Sequence, residues 1–332
     1  NATGGDGSFT YNWSTLGAGQ NQTNVSAGTY TVTVTDGNSC VTTTTATVLE
    51  PVAVSVTTSG VSVTCNGGND GSATAVGTGG EGGFTYAWSS GDNTATASDL
   101  TAGTYTVTAS DASGCTITET FEVVEPTGVT VTAVNTSVTC NGDDNGTATA
   151  SGSGGIGTIT YQWDAGAGFQ TAATATGLTE GTYSVTATDD NGCTDITTTT
   201  ILEPTVLVLS ATVTEPLCAG AADGTATATG SGGTGALGYA WSSGGNAANE
   251  TGLTAGTYTV SLSDANGCIT TTDVTLVDPA SITPTATATS VTCNGGADGT
   301  VGANATGGDG SFTYNWSTLG AGQNQTNVSA GT

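Results

Sequence analysis

The stretch from Phe84 to Cys115, FTYAWSSGDNTATASDLTAGTYTVTASDASGC, predicts the fold of the whole chain. Apolar and polar residues alternate in FTYAW and again in GTYTVTAS, which is the period of a half-buried β-strand. Phe84, Tyr86 and Trp88 are spaced two apart, so their side chains lie on one face of a strand. Gly, Asn, Asp and Ser fill the intervening segments, as they do in turns. The pattern therefore predicts short strands joined by tight turns.

The same stretch recurs along the chain at nearly constant spacing. Successive tryptophans are 75, 75, 78 and 75 residues apart, and the linker prolines and the tyrosines of LTAGTY-like segments follow the same steps. Such self-similarity indicates a tandem array of modules of about 75 residues. These aromatic residues are predicted to lie in the module cores: Trp13, Trp88, Trp163, Trp241, Trp316, Tyr30, Tyr105, Tyr183 and Tyr258.

The repeat divides the chain into five segments. Complete modules are predicted at residues 51–125, 126–203 and 204–278, with the rear part of a module at 1–50 and the front part of one at 279–332. Residues 304–332 repeat residues 1–29 letter for letter. A window from a longer array explains this repetition. The alternative is head-to-tail assembly, in which the tail of one copy supplies strands to the next.

Each module is predicted to be a small immunoglobulin-like β-sandwich, and the array an elongated rod. Seven short strands with a Trp on the third strand fit 75 residues of this all-β composition. In residues 51–125 the strand segments are 52–58 with 61–65 as its continuation, 72–78, 84–90, 94–100, 103–110 and 116–124. A tyrosine that follows a glycine turn, as in LTAGTY, occupies the position of a tyrosine corner. An ordinary core aromatic is the alternative interpretation.

The composition excludes several classes of function. The 332 residues include no Lys, Arg, His or Met, and 27 acidic residues give a net charge of −27. A chain without basic groups cannot neutralise phosphates, so binding to nucleic acid or anionic lipid is not expected. No apolar run has the ~18–20 residues of a membrane span. Without His, Lys or Arg the common acid–base and nucleophilic chemistries are missing, and no enzyme activity is predicted.

The repeated motifs resemble a known family, the SprB-type repeat. The resemblance covers every module and rests on VTCNGG (63–68 and 291–296), VTCNGD (138–143), the Y-x-W strand and the DASGC-like turn before the last strand. The module at 204–278 departs from it with EPLCAGAADG, which lacks Asn-Gly after the cysteine. The resemblance implies a very large extracellular adhesin on the surface of a gliding bacterium of the Bacteroidetes, exported through a dedicated outer-membrane route.

Eight cysteines occur at two fixed positions in each module, which indicates disulfides and an oxidising compartment. With an odd number of strands, the first turn and the last hairpin lie at opposite ends of a module, so each cysteine faces a neighbouring module. This predicts Cys65–Cys193 and Cys140–Cys268 as bridges between modules. If one fewer strand crosses between Trp88 and Leu100, bridges within modules replace them: Cys65–Cys115, Cys140–Cys193 and Cys218–Cys268. A hairpin at Glu50-Pro51 would instead join Cys40 to Cys65.

Carboxylates concentrate in the same turns, and the same topology predicts that they converge where modules meet. Oxygen-rich clusters of this kind suit Ca²⁺, whereas Asp-Gly and Asn-Gly also form turns without any metal. The candidate ligands are Asp70, Glu125, Asp189 and Asp190 at one junction and Asp143, Asp144, Glu203 and Asp264 at the next. No other cofactor is predicted.

The function that fits best is a structural stalk or filament segment of a secreted repetitive surface adhesin, stiffened at its module joints by disulfides and by Ca²⁺. One alternative is an adhesin whose modules bind extracellular glycans or surfaces directly. Another is a self-assembling extracellular fibre with head-to-tail strand complementation. In each case the partners are neighbouring modules, copies of the chain or extracellular surfaces, and the modest variation among the modules favours the stalk.

Overall fold

The computed structural model describes residues 1–331, and every regular element in them is a β-strand. The chain divides into two compact units. The first comprises Asn1–Thr130, Gly152–Ile159 and Thr188–Asp195, and the second comprises Val131–Ser151, Thr160–Ala187 and Ile196–Thr332. We use the word module for residues 51–125, 126–203 and 204–278.

The module at 51–125 lies wholly in the first unit and consists of two three-stranded antiparallel sheets. The first sheet has the order β5-β6-β8 and the second has the order β10-β9-β7. The strands up to this point are β1 Phe9–Trp13, β2 Gly17–Ala18, β3 Gly28–Asp36, β4 Val41–Val48, β5 Ser55–Val61, β6 Gly71–Thr78, β7 Thr85–Trp88, β8 Thr96–Leu100, β9 Gly103–Ser110 and β10 Thr116–Val123.

The module has six strands instead of the predicted seven. The segment 61–65 was counted as a strand, but only Val61 is extended, as the last residue of β5, and residues 62–65 form no strand. Beyond Val61 the chain turns, since the amide of Val63 donates to the carbonyl of Val124 at 3.3 Å and the amide of Thr64 to the carboxylate of Asp70 at 3.0 Å. The remaining strand segments match the expected ones to within a few residues. The predicted seven-strand count is therefore wrong for this module.

The module still crosses from end to end an odd number of times. β5 and β10 run in the same direction, as the Thr58–Thr120 and Val63–Val124 hydrogen bonds show. β7 and β8 also run in this direction, because each pairs antiparallel with a strand of the opposite sense. They form two halves of a single crossing that changes sheets between Trp88 and Thr96. The first turn and the last hairpin consequently lie at opposite ends of the module.

The later strands repeat this arrangement. Sheets of order β11-β12-β14 and β13-β15-β16 form the module at 126–203, and β17-β18-β20 and β19-β21-β22 form the module at 204–278. The strands are β11 Thr130–Thr136, β12 Gly146–Ser153, β13 Thr160–Trp163, β14 Thr174–Leu178, β15 Gly181–Thr188, β16 Thr194–Ile201, β17 Val208–Thr214, β18 Gly224–Ser231, β19 Gly238–Trp241, β20 Asn249–Leu253, β21 Gly256–Ser263, β22 Ile269–Leu276, β23 Thr283–Thr289, β24 Gly299–Thr306, β25 Asn315–Trp316, β26 Gly320–Ala321 and β27 Asn324–Val328.

Each core packs one large aromatic side chain against small residues of the facing sheet. In the module at 51–125, Trp88 is 4% exposed and lies in a cluster with Ala73 and Ala75 of β6. Gly77 on the same strand must lack a side chain, because a Cβ there would lie 2.6 Å from the ring of Phe84. Burial alternates along β6 and β9, with every second side chain facing the core, as the sequence pattern predicts.

The two partial segments contain complementary halves of a module. Residues 1–50 form one sheet of order β2-β1-β3-β4, and its inward face, with Trp13 and Val32, lines an open groove of about 550 Å³. Residues 279–331 form the β23-β24-β27 sheet and the short β25–β26 pair. The chain is thus built from immunoglobulin-like β-sandwich modules in tandem.

Candidate functional site

The aromatic residues predicted to be core residues anchor loops as well as filling space. Each Trp donates its indole N–H to a loop carbonyl, as Trp163 does to Ala172 at 3.1 Å. The tyrosines form tyrosine corners, in which the hydroxyl donates to the carbonyl four residues upstream. The corners join Tyr30 to Ser26, Tyr105 to Thr101, Tyr183 to Thr179 and Tyr258 to Thr254, at 2.7–3.1 Å. These residues stabilise the modules.

A cysteine lies in the first turn of each module, and acidic residues hold this turn in place. The turn that contains Cys65 is closed by Asp70, whose carboxylate accepts hydrogen bonds from the amide and the hydroxyl of Thr64. These bonds, the hydroxyl first, lower the pKa of Asp70 below its ordinary value. The amide of Gly68 also donates to the carbonyl of Cys65 at 2.9 Å. The cysteine is therefore presented by a fixed turn.

The end of each module folds back onto this same turn. Glu125, which precedes the linker proline, accepts a hydrogen bond from the amide of Gly67 at 2.8 Å, and Asn66 donates to the carbonyl of Pro126 at 3.1 Å. The next module repeats both contacts, with Gly142 to Glu203 at 2.9 Å and Asn141 to Pro204 at 3.1 Å. We call this pair of contacts the linker clasp. It fixes the direction in which the chain leaves the module.

A second cysteine lies at the opposite end, in a hairpin organised by a buried aspartate. Asp189 is 5% exposed, and its carboxylate accepts from the amides of Ile156, Asn191 and Cys193 at 2.8–3.0 Å. The bond from the amide of Ile156 is the main cause that lowers the pKa of Asp189 below its ordinary value, although burial opposes this shift. Asp111 and Asp264 occupy the equivalent positions in the other two modules with the same pattern of donors.

The cysteines of successive modules are joined. Cys65 bonds to Cys193 with Cα atoms 5.6 Å apart, and Cys140 bonds to Cys268 with Cα atoms 5.7 Å apart. Both separations lie within the ordinary range for a disulfide. The first bond lies within the first compact unit and the second lies within the second unit. These are the two pairs that the topology argument ranked first.

The alternative pairings are absent from the described residues. Cys65–Cys115, Cys140–Cys193 and Cys218–Cys268 do not form, and neither does a Cys40–Cys65 bond. Four cysteines are free and exposed: Cys40, Cys115, Cys218 and Cys293. The physical reason is the odd number of crossings, which places Cys65 and Cys115 at opposite ends of their module.

Hydrogen bonds accompany each disulfide. Asn191 donates from its side chain to the carbonyl of Thr64 at 3.4 Å, and Asn266 donates to the carbonyl of Thr139 at 3.0 Å. We call the cysteine turn of one module, together with the last hairpin of the next and the contacts between them, a joint. Each joint therefore contains one disulfide and one side-chain hydrogen bond, and both connect the same turn to the same hairpin.

The proposed calcium ligands lie in the turns of the joints without forming a metal cluster, and calcium binding stays a prediction. Within residues 1–331 no three Asp, Glu, Cys or His side chains lie close enough to hold a metal ion. The reason is that most of these carboxylates accept hydrogen bonds from their own turns. Asp70 binds Thr64, Glu125 binds Gly67, Asp143 binds Cys140, Glu203 binds Gly142, and Asp189 and Asp264 bind hairpin amides, while Asp190 and Asp144 are exposed in their turns.

Two features of the joint escaped sequence reasoning. The linker clasp connects residues that are 58 to 63 positions apart, and the asparagine contacts connect residues that are 127 apart. A signal for the clasp did exist, because an acidic residue precedes each of Pro51, Pro126, Pro204 and Pro279. That pattern predicted that Glu125 lies near the Cys65 turn, but as a calcium ligand rather than as the acceptor of a hydrogen bond from Gly67.

No curated protein matches the chain. Among solved structures, the N-terminal eight Ig domains of Down syndrome cell adhesion molecule align at 10% identity with a TM-score of 0.29, covering 90% of this chain and 60% of that one. Extracellular cadherin domains 3–6 of protocadherin gamma B2 align at 12% identity with a TM-score of 0.30, covering 82% and 92%.

These scores are too low to support an argument about function, so the assignment of fold rests on the strands and sheets described above. No helix long and apolar enough to cross a membrane occurs in residues 1–331.

The SprB repeat family matches four stretches of the chain, 55–93, 132–168, 210–246 and 285–321, one in each complete module and one in the following segment. The chain therefore contains four SprB repeats in tandem.

Proposed function

We propose that this array is a structural stalk segment of a secreted, repetitive adhesin at a bacterial cell surface, with no catalytic role. The observation that carries the proposal is the joint, in which a disulfide connects the turn at Cys65 or Cys140 to the last hairpin of the following module. A module that bound a ligand by itself would not need a covalent bond to its neighbour. A stalk under tension would benefit from such a bond at every junction.

The linker clasp supports the same function. Glu125 and Asn66 hold the linker against the cysteine turn of the preceding module, so the segment between two modules is anchored by both side chains. Short linkers with few free dihedrals restrict the orientation of the domains that they join. Disulfide and clasp together limit bending at the joint, and stiffness of this kind is the property that a stalk requires.

The net charge of −27 and the absence of basic side chains favour a spacer over a binder of acidic partners. Uniform negative charge keeps neighbouring stalks apart in solution. Extracellular location agrees with the disulfides, because such bonds persist in oxidising compartments. The SprB-type repeat is likewise typical of extracellular proteins.

The proposal is tested by pulling single molecules from their ends. In the oxidised chain the force passes through both disulfides, so residues 66–139 and 194–267 cannot be extended. At about 3.3–3.6 Å per residue, reduction should release roughly 50 nm of additional contour length. The double variant Cys65→Ser/Cys140→Ser should show the full length without reductant, and Cys115→Ser/Cys218→Ser serves as the matched control. Equal lengths for the oxidised and reduced wild type would refute disulfide-reinforced joints.

A second measurement addresses the role of the joints in stiffness. Small-angle scattering should give a larger maximum dimension for the oxidised array than for the Cys65→Ser/Cys140→Ser variant. The distribution of sizes that fits the data should also be narrower for the oxidised array. If both proteins give the same broad distribution, the joints do not stiffen the array and the stalk function loses its main support.

A further inference from the structure

One loop of the module at 126–203 is longer than its counterparts in the other two modules. It connects β13 to β14 and comprises the ten residues 164–173, whereas the equivalent connections at 89–95 and 242–248 have seven residues each. We call residues 164–173 the long loop. It contains Phe169, and the two shorter loops contain no aromatic residue. Loops on a rigid scaffold are the segments that most readily carry binding residues.

Phe169 is held at the surface in an unusual conformation. Its side chain is 61% exposed, whereas every other Trp, Tyr and Phe of residues 1–331 is buried or half-buried. Its φ is 55°, in the left-handed region that favours glycine and is rare for a bulky residue. A single exposed apolar side chain is ordinary. An exposed aromatic ring on a strained backbone is not, because strain of this kind persists mainly at functional sites.

Hydrogen bonds fix the backbone that carries the ring. The amide of Phe169 donates to the carbonyl of Asp164 at 3.0 Å. The side chain of Gln170 donates to the carbonyl of Thr176 at 3.0 Å and accepts from the amide of Thr176 at 3.1 Å. The ring is therefore presented in advance of any contact, which lowers the entropy lost on binding.

Asp164 supports the extra length of the loop. One of its carboxylate oxygens accepts from the amide and the hydroxyl of Ser184 at 2.6 and 3.0 Å, and the other accepts from the amide of Ala167 at 3.2 Å. Ala167 is 4% exposed and anchors the loop in the core. The shorter loops have Ser89 and Ser242 in place of Asp164, and each accepts the equivalent strand amide at 3.1 Å. Both oxygens of Asp164 thus hold the protein's own backbone.

The loop is too small and too polar to dock a protein through an apolar surface. Apart from Phe169 it consists of Asp, Ala, Gly, Gln and Thr. A stable protein–protein interface buries about 1,200 Å² or more around a core of several apolar side chains. One ring flanked by small and polar residues does not provide such a core.

The same surroundings suit an uncharged sugar. A pyranose ring has an apolar face of C–H groups, which packs against an aromatic ring, and hydroxyls around its edge, which hydrogen-bond to polar neighbours such as the exposed Thr171. The small side chains beside Phe169 leave space for a flat ring to approach. The chain has 27 acidic residues and no basic one, so acidic sugars are repelled.

We propose that Phe169 and the long loop form a binding site for an uncharged polysaccharide, with the Phe169 ring stacked on the C–H face of one pyranose unit. The strain at Phe169 is the cost of holding the ring outward, and the fixed loop keeps it there. The site belongs to one module, goes beyond the stalk function and does not depend on it.

The test is native electrophoresis of the full chain through gels that contain a soluble polysaccharide, in which binding slows migration. The probes are hydroxyethyl cellulose, laminarin and dextran, which are uncharged, and polygalacturonate, which is acidic. We expect one or more of the uncharged polymers, but not polygalacturonate, to retard the chain. Phe169→Ala should weaken this binding roughly tenfold, the equivalent of about 1.4 kcal/mol, and Phe169→Trp should preserve it.

Further variants separate binding from folding. Phe169→Gly removes the ring and relieves the left-handed backbone, so binding should fall while the melting temperature rises. Replacing residues 164–173 by the shorter loop 89–95 should abolish binding in a folded protein. The matched control is Ile196→Ala, which shortens an equally exposed side chain of the same module and should leave binding unchanged.

Three results would overturn the proposal. The first is unaltered migration in all three uncharged polymers, and the second is equal retardation of the wild type and Phe169→Ala. The third is retardation by the cationic polymer chitosan alone that is lost in Phe169→Ala, which would indicate a cation–π site instead. None of these results affects the contour-length test of the stalk, which depends on the two disulfides.

Discussion

The side chain of Asn266 donates a hydrogen bond to the main-chain carbonyl of Thr139, 3.0 Å away and 127 residues earlier in the chain. The sulfur of Cys268 lies 3.5 Å from the same carbonyl oxygen. The contact recurs between Asn191 and Thr64 beside the other disulfide. A single asparagine therefore sets the register in which each hairpin meets the preceding turn.

Replacing Asn266 by Ala should loosen the second joint. The loss of one solvent-accessible hydrogen bond is expected to cost about 0.5–1 kcal/mol. Thermal unfolding of the oxidised protein measures this, and the initial rate of reduction by dithiothreitol should rise for Cys140–Cys268 alone. The matched control is Asn38→Ala, at the equivalent position of a hairpin whose cysteine is free. An equal effect of both variants on reduction would contradict the registering role of Asn266.

Removing the Cys65–Cys193 bond should weaken the joint and leave the module cores intact. We expect Cys65→Ser to increase amide hydrogen exchange in the turn 64–70 and the hairpin 189–193, because the two are then held by few contacts. Exchange in β9, which is buried in the core cluster, should not change. Loss of a native disulfide typically costs about 2–5 kcal/mol, and here the loss should be confined to the joint. Increased exchange throughout β9 would contradict this prediction.

The contribution of each tyrosine corner to the stability of its module should increase with the burial of the tyrosine side chain. Tyr183→Phe removes the bond to Thr179 from a side chain that is 5% exposed, and it should destabilise its module by about 1–1.5 kcal/mol. Tyr105→Phe removes the equivalent bond at a half-buried position and should cost less. Urea unfolding of the single modules gives the comparison. A larger loss for Tyr105→Phe would contradict the ranking.

Ser39→Gly should stabilise the hairpin that contains Cys40. Ser39 has a φ of 68°, in the left-handed region, where the equivalent residues of the other hairpins are Gly114, Gly192 and Gly267. A side chain in this conformation costs about 1–2 kcal/mol, part of which is offset by the greater flexibility of glycine in the unfolded chain. We expect a net gain of about 0.5–1 kcal/mol in thermal unfolding, whereas Ser39→Ala should give none.

Acid should destabilise the last hairpins. Backbone donors, led by the amides of Glu81, Ile156 and Thr234, lower the pKa values of Asp111, Asp189 and Asp264 in the folded state. Because the unfolded carboxyl titrates at about 3.9, the stabilisation is fully present above about pH 4. It is lost as the pH falls through the lower folded-state pKa.

The measurement is the difference in unfolding free energy between wild type and Asp189→Asn. This difference should be constant from neutral pH to about pH 5 and should shrink below about pH 4. Glu119→Gln, on the exposed face of β10, corrects for the change in net charge. A difference that stayed constant down to about pH 2 would show that the ionised carboxylate of Asp189 is not what stabilises the hairpin.

Much of the fold could be predicted because it depends on local patterns. Alternation in GTYTVTAS places β9, and the tryptophan and tyrosine spacing sets the modules. The inter-module disulfides also followed from topology, although the strand count was wrong. β7 and β8 were expected as two crossings but form one, and that change alone was expected to give bridges within modules. Residues 62–65 also form no strand, so the number of crossings falls by two and stays odd, and the bridges join neighbouring modules. When the chain passes from one sheet to the other in the middle of a crossing, apolar and polar residues still alternate. The sequence therefore does not show where this change of sheet occurs.

The repeated 29 residues show why the rest could not be predicted. Phe9–Trp13 form the five-residue strand β1, whereas in the identical second copy only Asn315–Trp316 form a strand. Conversely, β27 at Asn324–Val328 pairs with β24, and the same letters at 21–25 form no strand. A strand exists where its hydrogen-bonding partner is present. Identical sequence thus adopts different local structure, and the contact across the sheet decides which.

The two disulfides enclose overlapping lengths of chain. One joins Cys65 to Cys193 and the other joins Cys140 to Cys268, so residues 140–193 lie inside both loops. Any single cut of the backbone between Cys65 and Cys268 therefore leaves the two pieces covalently attached. A protease that nicks an exposed loop of one module would release nothing until a thiol reductant also acted. The array thereby tolerates a backbone break that would divide a chain without these two bonds.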